Sequence, residues 1–351
     1  MSQQDKNIAA VMTVAGSPLV LQERPIPSPE PGEVLIRNHA IGINPLDWKR
    51  FHRGFLIRSS PTVLGADSVG LVVSVGSSVT EFKPGDRVLG LSKGVLSGNN
   101  DQAAYQTFTL INATATGILP NKLSFVQGAT LPTAVGTAAL ALFDRLGVPK
   151  PTIGDAVTTT QSSSILIWGG ASGCGWIAIQ MARLAGLTVY TTASAKHHDK
   201  LRALGVIAVV DYRSPTAVDD LVAAAEKAGK PIGYALDCIS LAESLAPATQ
   251  VLAKSSAKAE KKLAHLLPWP EDLPTPTTGI EAVGVQGIDL WREKEELAAW
   301  VYHDALPNWL QRGEMVPIQH RLIEGGLGGL QDGLAELGKG ASGERLVVEV
   351  E

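Results

Sequence analysis

Residues 164–175 constrain the fold of this 351-residue chain more than any other stretch. The apolar run Ile165–Trp168 predicts a strand that is buried on both faces. The chain then passes through four glycines in seven residues and enters a segment, 176–184, whose apolar residues recur on one helical face. A strand, a glycine turn and a helix in this order place free backbone N–H groups at a helix N-terminus. Such an end is a ready site for a phosphate.

The spacing of Gly170, Gly173 and Gly175 is a variant of the dinucleotide-binding pattern rather than its usual form. The glycines alone fit a tight turn in an ordinary α/β domain equally well. Their context favours a nucleotide site, because predicted strands and helices alternate after them. The predicted strands are 187–192, 208–212 and 234–238, and the predicted helices are 198–204 and 217–228. The sequence therefore predicts a Rossmann fold, a doubly wound parallel sheet, over residues 128–288.

The end of the second predicted strand indicates which nicotinamide cofactor binds. An NAD site usually carries an Asp or Glu there, which binds the ribose 2′-hydroxyl. This chain instead has Ser194, Ala195, Lys196 and His197, so that a 2′-phosphate would meet a hydroxyl group and positive charge. The alternative is that Lys196 and His197 belong to a solvated loop. We predict NADPH rather than NADH.

The residues on either side of the predicted Rossmann domain follow a different pattern. Residues 1–127 hold several short predicted strands separated by Gly/Pro turns, which is typical of a small β-barrel or a sandwich-like domain. The alternating tail 344–350 predicts a strand that returns to this first domain. The Rossmann domain is therefore expected to be an insertion between 1–127 and 289–351. Other expected elements are strands at 8–14, 33–43, 69–75, 87–91, 104–110 and 281–286, a charged helix or loop at 254–262, and helices at 125–146 and 290–311.

Composition excludes several classes of protein. A net charge of −4 argues against nucleic acid as the main partner. No apolar run reaches the roughly 20 residues that span a bilayer, and the N-terminus lacks the apolar core of a signal peptide. Cys174 and Cys238 are the only cysteines, which excludes a disulfide scaffold and fits a reducing compartment. We expect a cytoplasmic protein that binds neither nucleic acid nor a membrane.

Four motifs in order carry a resemblance to a known superfamily. They are Pro-Gly-Glu-Val-Leu-Ile at 31–36, Gly-Ile-Asn-Pro-Leu-Asp-Trp-Lys at 42–49, Leu-Gly-Ala-Asp-Ser-Val-Gly at 64–70 and Lys-Pro-Gly-Asp-Arg-Val at 83–88. With them the chain resembles the medium-chain dehydrogenase/reductase superfamily and its zinc-free quinone-oxidoreductase-like branch. It is similar most of all to the trans-acting enoyl reductases of fungal polyketide biosynthesis. An insertion at 149–163 and the segments 211–213 and 342–348 support this closer match.

The resemblance implies a Rossmann domain inserted in a GroES-like β-barrel catalytic domain. It also implies NADPH-dependent reduction of an activated C=C bond by hydride transfer to the β-carbon of an enoyl thioester. The substrate would be carried by a polyketide synthase carrier domain that this enzyme serves in trans. Two alternatives stay open: a free-standing NADPH:quinone or enone oxidoreductase, and an NADPH-binding member of the superfamily without catalytic activity.

Zinc is not expected, because the residues at the superfamily's zinc positions are of the wrong type. Where the zinc alcohol dehydrogenases have cysteine and a His-Glu pair, this chain has Asn44 and Ala66, and no cysteine precedes Cys174. A zinc site needs three or four Cys, His or carboxylate ligands. His39 and His52 remain as isolated candidates.

The resemblance also implies roles for individual residues. Lys49 is the candidate group that stabilises an enolate or supplies a proton to it, although a surface lysine or an ion pair with Asp47 is an equal alternative. Residues 131–138 would line the substrate site, or their small side chains would serve helix packing. The cofactor-binding residues are expected to be Leu46, Asp47, Trp48, Lys49, Gly170, Ala171, Ser172, Gly173, Cys174, Gly175, Ser194, Ala195, Lys196, His197, Tyr212, Leu266, Leu267, Glu344 and Arg345. The substrate-binding residues are expected to be Leu131, Pro132, Thr133, Ala134, Val135, Gly136, Thr137, Ala138, Val283, Gly284, Val285, Gln286 and Gly287.

Overall fold

The computed structural model describes residues 6–154, 164–258, 260–276 and 279–350. Most of the predicted insertion at 149–163 lies outside these residues. The strands are β1 (Asn7–Met12), β2 (Val20–Arg24), β3 (Glu33–Ile43), β4 (Thr62–Val63), β5 (Asp67–Val75), β6 (Arg87–Leu91), β7 (Phe108–Asn112), β8 (Thr116–Ile118), β9 (Ser164–Trp168), β10 (Thr188–Thr192), β11 (Ala208–Val210), β12 (Ile232–Asp237), β13 (Lys261–His265), β14 (Ile280–Gly284), β15 (His320–Ile323) and β16 (Arg345–Glu349).

The helices connect these strands and complete the chain. The α-helices are α1 (Pro45–Arg53), α2 (Gly94–Ser97), α3 (Phe125–Gly128), α4 (Pro132–Ala139), α5 (Gly173–Leu184), α6 (His198–Ala203), α7 (Ala217–Ala228), α8 (Ala242–Lys254), α9 (Glu295–Ala299), α10 (Leu306–Arg312) and α11 (Leu330–Gly338). Two π-helices span Leu140–Arg145 and Trp300–Ala305, and short 3₁₀ turns span Asn100–Gln102, Ala113–Ala115, Ala195–His197, Gly287–Trp291 and Gly326–Gly329.

The middle of the chain forms a six-stranded parallel sheet. Its strand order, β11-β10-β9-β12-β13-β14, is the 3-2-1-4-5-6 order of the Rossmann fold. The central strand β9 is buried along its whole length, as its apolar sequence predicts, and it pairs in parallel with β10 and β12. Helices α5 and α7 fill the connections between strands in the predicted order. The predicted fold class is therefore confirmed for this part of the chain.

The two ends of the chain form antiparallel sheets. A seven-stranded sheet has the order β15-β16-β3-β5-β6-β8 with β7 paired to β3, and a smaller sheet has the order β2-β1-β4. The C-terminal strand β16 pairs antiparallel with β3, Leu346 opposite Ile43, so the predicted return of the tail to the first sheet is confirmed. By their internal contacts, residues 1–136 and 288–351 form one compact unit and residues 137–287 form another. We call these the barrel unit and the nucleotide unit.

Three expectations about secondary structure were wrong in part. The helix expected at 290–311 is broken into the 3₁₀ turn Gly287–Trp291, α9, a π-helix and α10, and Pro307, which has no N–H to donate, stands where α10 begins. The segment expected as a charged helix or loop at 254–262 ends in strand β13. The strand expected at 104–110 begins only at Phe108.

One helical segment, Phe125–Arg145, is long and apolar enough to cross a membrane by length and composition alone. Within it, 78% of the most apolar window is buried inside the structure, as in a core helix of a globular protein. The expected helix at 125–146 is also interrupted, because α3 ends at Gly128 and α4 begins at Pro132.

Candidate active site

The predicted cofactor residues of the nucleotide unit all follow the carboxyl ends of its parallel strands. Residues 169–175 follow β9, residues 193–197 follow β10, and Tyr212 follows β11. Leu266 and Leu267 follow β13. Ligands of open α/β sheets bind at this edge, beside the point where the strand order reverses, which is here between β9 and β12. The topology therefore brings these segments to the edge where a dinucleotide would bind.

The glycine turn after β9 is packed so closely that two of its positions exclude a side chain. A Cβ at Gly170 would lie 2.1 Å from Thr191 Oγ1, and one at Gly175 would lie 2.3 Å from the carbonyl oxygen of Gly169. Gly169 itself has φ +81°. Thr192 fixes the turn, since its hydroxyl accepts the Gly169 N–H at 3.0 Å and its carbonyl accepts the Gly170 N–H at 2.9 Å. Thr192 was not among the predicted cofactor-binding residues.

The N-terminus of α5 offers donors for an anion. Ser172 caps the helix by accepting the Gly175 N–H at 3.0 Å. In the described part of the chain, no acceptor is recorded for the backbone N–H groups of Ala171, Gly173 and Cys174. Unpaired N–H groups and the positive end of a twelve-residue helix fit a pyrophosphate. Cys174 and Cys238 are both free thiols, and a hydrogen bond with Cys174, together with burial, raises the pKa of Cys238.

The loop after β10, predicted to bind a 2′-phosphate, presents a single exposed cation. Lys196 is exposed, whereas Ser194 and His197 are buried, and burial and the nearby Lys196 lower the pKa of His197. The structure also brings Asp211 to this loop, where its carboxylate interacts with the backbone N–H of Ala195. Asp211 was not predicted to lie beside Ala195, because in the sequence it follows β11 whereas Ala195 follows β10.

Tyr212 and Arg213 extend the same edge. Tyr212 is 46% exposed, so it is available to flank a ring rather than packed in the core, and the Arg213 guanidinium lies 5.1 Å from its ring centroid. At the next strand end, Asp237 is fully buried and accepts the N–H groups of Ile239 and Ser240. The Ser240 hydroxyl accepts the N–H of Leu266 at 2.7 Å, so that Asp237 and Ser240 shape the loops on which Leu266 and Leu267 lie.

The segment 283–287, expected to bind substrate, lies at the end of the edge strand β14. Val285 is buried, and its N–H donates to the His265 carbonyl at 2.8 Å. Gly284 and Gln286 are exposed and Val283 and Gly287 are half-buried, while the Gly284 carbonyl accepts from Arg145 at 3.0 Å. The exposed members of this segment are available to a ligand, and Val285 is a packing residue.

In the barrel unit, α1 carries the candidate catalytic Lys49. The helix begins at Asn44, with Pro45 at the first helical position and the Asp47 carboxylate accepting the Asn44 N–H at 2.9 Å. It ends at Gly54, which has the left-handed φ of +62°. Trp48 packs against the core beside α11, and a Cβ at Gly338 would lie 2.7 Å from its Nε1. Leu46, Trp48 and Lys49 are half-buried.

Lys49 makes no ion pair with Asp47 or with any other described carboxylate. Burial and the neighbouring Arg53 lower the pKa of its ammonium group. Asp47 faces the opposite way, into the interior of the barrel unit, and is fully buried. The alternative role of Lys49 as a structural partner of Asp47 is therefore wrong.

A buried polar cluster lies under α1. Arg345 Nη2 donates to Asn44 Oδ1 at 2.5 Å and to Asp67 Oδ2 at 2.9 Å. Asp67 Oδ1 accepts both the N–H of Thr133 at 2.7 Å and its hydroxyl at 2.5 Å. One carboxylate thus joins the start of α1, the start of α4 and the first residue of β16. Arg345, which was expected to contact the cofactor, is buried and makes this interior ion pair through Nη2.

Asp47 is a second buried carboxyl group beside this cluster. Burial raises its pKa to about 6, although the Asn44 N–H and Arg50 oppose that rise. Asp47 interacts with the hydroxyl of the fully buried Tyr105, but neither its Oδ1 nor that hydroxyl makes a hydrogen bond of good geometry with a described residue. Asp47 therefore contributes to the site by fixing the start of α1, the helix that carries Lys49.

The segment 131–138 serves packing at most of its positions. Leu131, Ala134, Val135 and Ala138 are buried core residues. A Cβ at Gly136 would lie 2.7 Å from Leu290 and 2.8 Å from the Tyr302 hydroxyl, which donates to the Pro132 carbonyl at 2.7 Å. Of the residues in this segment that were expected to bind substrate, Thr133 and Thr137 are half-buried.

Glu344, which was expected to bind the cofactor, makes an ion pair with Arg321 at 2.9 Å on the surface.

The residues at the expected zinc positions do not form a ligand set. Among residues 6–154, 164–258, 260–276 and 279–350, no three His, Cys, Asp or Glu side chains are grouped as a metal site. His39 stacks on Phe125 with ring centroids 4.6 Å apart, and His52 packs against Trp48 and Phe51. Both histidines are thus in aromatic packing rather than facing one another.

Known proteins resemble the chain along almost its whole length. Residues 30–107 match the alcohol dehydrogenase GroES-like domain. The trans-enoyl reductase tndF of Aspergillus flavipes is 34% identical over 344 residues, which cover 97% of this chain and 98% of that protein. The zinc-binding alcohol dehydrogenase domain-containing protein cipB of Emericella nidulans is 31% identical over 352 residues, covering 100% of both chains.

A solved structure matches this chain along almost its whole length. An alcohol dehydrogenase superfamily protein from Novosphingobium aromaticivorans matches with a TM-score of 0.79 and 27% identity. The match covers 98% of this chain and 100% of that one, so both the barrel and the inserted parallel sheet are shared.

Proposed function

Because this chain belongs to the medium-chain dehydrogenase/reductase superfamily, close to the fungal trans-enoyl reductases, we propose that it is an NADPH-dependent enoyl reductase of polyketide biosynthesis. The observation that carries the proposal is the full-length similarity to a trans-enoyl reductase. Two features of the structure support it: a phosphate cradle in the nucleotide unit, and an unpaired, half-buried lysine in the barrel unit.

The residues of the nucleotide unit fit a dinucleotide phosphate. The N–H groups of Ala171, Gly173 and Cys174 would hold the pyrophosphate, since Gly170 and Gly175 leave no side chain in its way. Lys196 would hold the 2′-phosphate, and the nearby Arg213 adds a second cation, whereas Asp211 opposes that anion. Tyr212 would flank the adenine. When bound, the nicotinamide supplies a hydride for the β-carbon of the substrate.

Lys49 has the properties of a group that stabilises an enolate or supplies its α-proton. Its ammonium donates hydrogen bonds and accepts none, so it favours the negative oxygen of an enolate over the neutral carbonyl of the substrate. Its lowered pKa brings it closer to neutral pH, where a general acid is most effective. Asp47 and Asn44 hold the start of α1 and thereby position this lysine.

We propose that the chemistry needs no zinc, because Asn44 and Ala66 replace the usual ligands. The name of the relative cipB makes this a point to test directly. Metal analysis of the purified protein should find far less than one zinc per chain, and chelators should leave turnover unchanged. One zinc per chain with activity lost on chelation would contradict the proposal.

The deciding assay is NADPH oxidation with crotonyl thioesters, enones and quinones, followed by single turnover of Lys49→Met. With saturating NADPH and an α-methyl enoyl thioester, we expect the rate to fall on the order of 10²- to 10⁴-fold while cofactor affinity is kept. Lys83→Met, an exposed lysine in the turn before β6, is the matched control. An unchanged rate and α-carbon configuration would remove Lys49 from the mechanism. Turnover of quinones but of no thioester would favour the free-standing oxidoreductase.

A further inference from the structure

A surface segment that begins with the last residue of α1 carries positive charge without any balancing carboxylate. We call this segment, residues 53–60, the basic loop. No Asp or Glu occurs between Asp47 and Asp67, although the whole chain has a net charge of −4. The basic loop contributes Arg53 and Arg58, and both are exposed. A local excess of cations on an acidic protein creates a surface that attracts negatively charged partners.

Neither arginine of the basic loop is neutralised by the rest of the described chain. Arg53 lies 5.4 Å from the Trp48 ring centroid and makes no ion pair with a described carboxylate. The stem of Arg58 lies against Gly98, where an added Cβ would be 3.2 Å away. The segment around Gly98 is itself free of acids, since none occurs between Asp86 and Asp101, and it includes the half-buried Lys93. Arg58 therefore lies against a segment that supplies no carboxylate between Asp86 and Asp101.

The basic loop also presents apolar side chains to solvent. Phe55 is 49% and Leu56 is 39% exposed. Leu56 has φ +55°, a left-handed conformation that is uncommon for a residue other than glycine. Backbone strain of this kind tends to occur at functional surfaces. An aromatic ring and an aliphatic side chain among unpaired arginines have the composition of a protein-binding surface.

The position of the basic loop relates it to the reaction. Arg53 follows Lys49 by four residues on the same face of α1, about 6 Å further along the helix axis. Their proximity contributes to the lowered pKa of Lys49. A partner bound to the basic loop would thus stand beside the helix that carries the candidate catalytic lysine.

We propose that the basic loop docks the acidic carrier domain that presents the enoyl thioester, an inference that rests on the proposed function. Opposite charge would steer the two proteins together, and Phe55 and Leu56 would supply the apolar contact. A carboxylate-rich protein surface fits both the arginines and the apolar side chains, whereas the net charge of −4 of the whole chain disfavours a nucleic acid.

The test compares one acyl group on two carriers. We expect Arg58→Glu to lower kcat/KM at least tenfold for the crotonyl thioester of an acyl carrier protein, mainly by raising KM. For crotonyl N-acetylcysteamine, kcat/KM should stay within twofold of wild type. Phe55→Ser should show the same selectivity. Arg53 is left unchanged because its charge also acts on Lys49. The control Lys83→Glu makes the same change in charge at an exposed site beside acidic residues and should alter neither substrate.

Direct binding separates this proposal from the proposed function. Fluorescence anisotropy with a labelled, unacylated acyl carrier protein should give an affinity that falls with salt and with Arg58→Glu. If wild type binds the carrier protein in this way but reduces no thioester, the proposed function fails and the docking surface stands. Equal losses on both substrates, unchanged carrier binding in the variant, or equally tight binding of a single-stranded oligonucleotide would overturn the docking proposal.

Discussion

Asp47→Asn is expected to stabilise the barrel unit above neutral pH, although it removes an acidic residue from the start of a helix. The buried carboxyl has a pKa of about 6 instead of 3.8, so the folded state holds its proton more tightly than the unfolded state does. Its contribution to stability is therefore fully present below pH 3.8 and is lost as pH rises through about 6. The difference of about 2 pKa units corresponds to about 3 kcal/mol at high pH.

The substitution retains the contacts that shape the helix. An amide oxygen at position 47 can still accept the Asn44 N–H, as Asp47 Oδ2 does at 2.9 Å. Its NH₂ group would replace Oδ1, which has no partner, and would face the Tyr105 hydroxyl as a donor. The variant thus loses the desolvated charge without losing the cap.

Urea unfolding at pH 5 and pH 8 measures the effect. Linkage predicts that ionisation of Asp47 lowers the unfolding free energy of wild type by roughly 1 to 2 kcal/mol between these values, and that Asp47→Asn lacks this change. Asp332→Asn, at an exposed carboxylate of α11, is the matched control and should follow wild type. An identical pH dependence in wild type and Asp47→Asn would refute the reasoning.

Three further variants probe other parts of the site. Asp67→Asn leaves the buried Arg345 guanidinium uncompensated and should cost about 3–5 kcal/mol in urea unfolding, most of which Arg345→Met should restore; a loss below 1 kcal/mol would contradict this. Lys196→Ala should reduce the NADPH-over-NADH preference about tenfold by calorimetry, and Asp211→Asn should increase it; no change in either refutes the assigned phosphate site. Gly175→Ala should weaken NADPH binding and lower the melting temperature, because its Cβ would meet backbone 2.3 Å away; unchanged binding would contradict the cradle.

The elements that could be predicted from the sequence are those whose signals are local. Strand β9, the glycine turn and α5 are specified by adjacent residues, and α7 was predicted with the bounds that the structure has. Strand β13 was missed because it begins with two lysines, which become half-buried only when β12 and β14 pair on either side. The single helix expected at 290–311 was wrong because the apolar residues recur at helical spacing throughout, although the backbone changes from a 3₁₀ turn to α9, a π-helix and α10. The spacing of apolar residues does not report such changes in helix type.

In the candidate site, too, the parts with a local sequence signal were predicted and the parts that depend on distant residues were not. The positions of Lys49 and of the phosphate cradle followed from motifs, whereas the cluster of Asn44, Asp67, Thr133 and Arg345 did not. Its members are separated by up to 301 residues, and no local pattern marks them as partners. Asp211 was overlooked beside Ala195 because parallel pairing of β10 with β11 brings together two strand ends that lie apart in sequence.

The pairing of β16 with β3 has a consequence for the synthesis of this protein on the ribosome. Residues 137–287 contain every strand of their parallel sheet, so this unit is able to fold while the C-terminal segment is still being translated. Asn44 and Asp67 emerge early, but their shared partner Arg345 is added only near the end of elongation. Until then, the nascent barrel has an unpaired β3 edge and a buried carboxylate without its cation. We therefore expect chaperone dependence to be concentrated in the N-terminal half and to end when β16 is released.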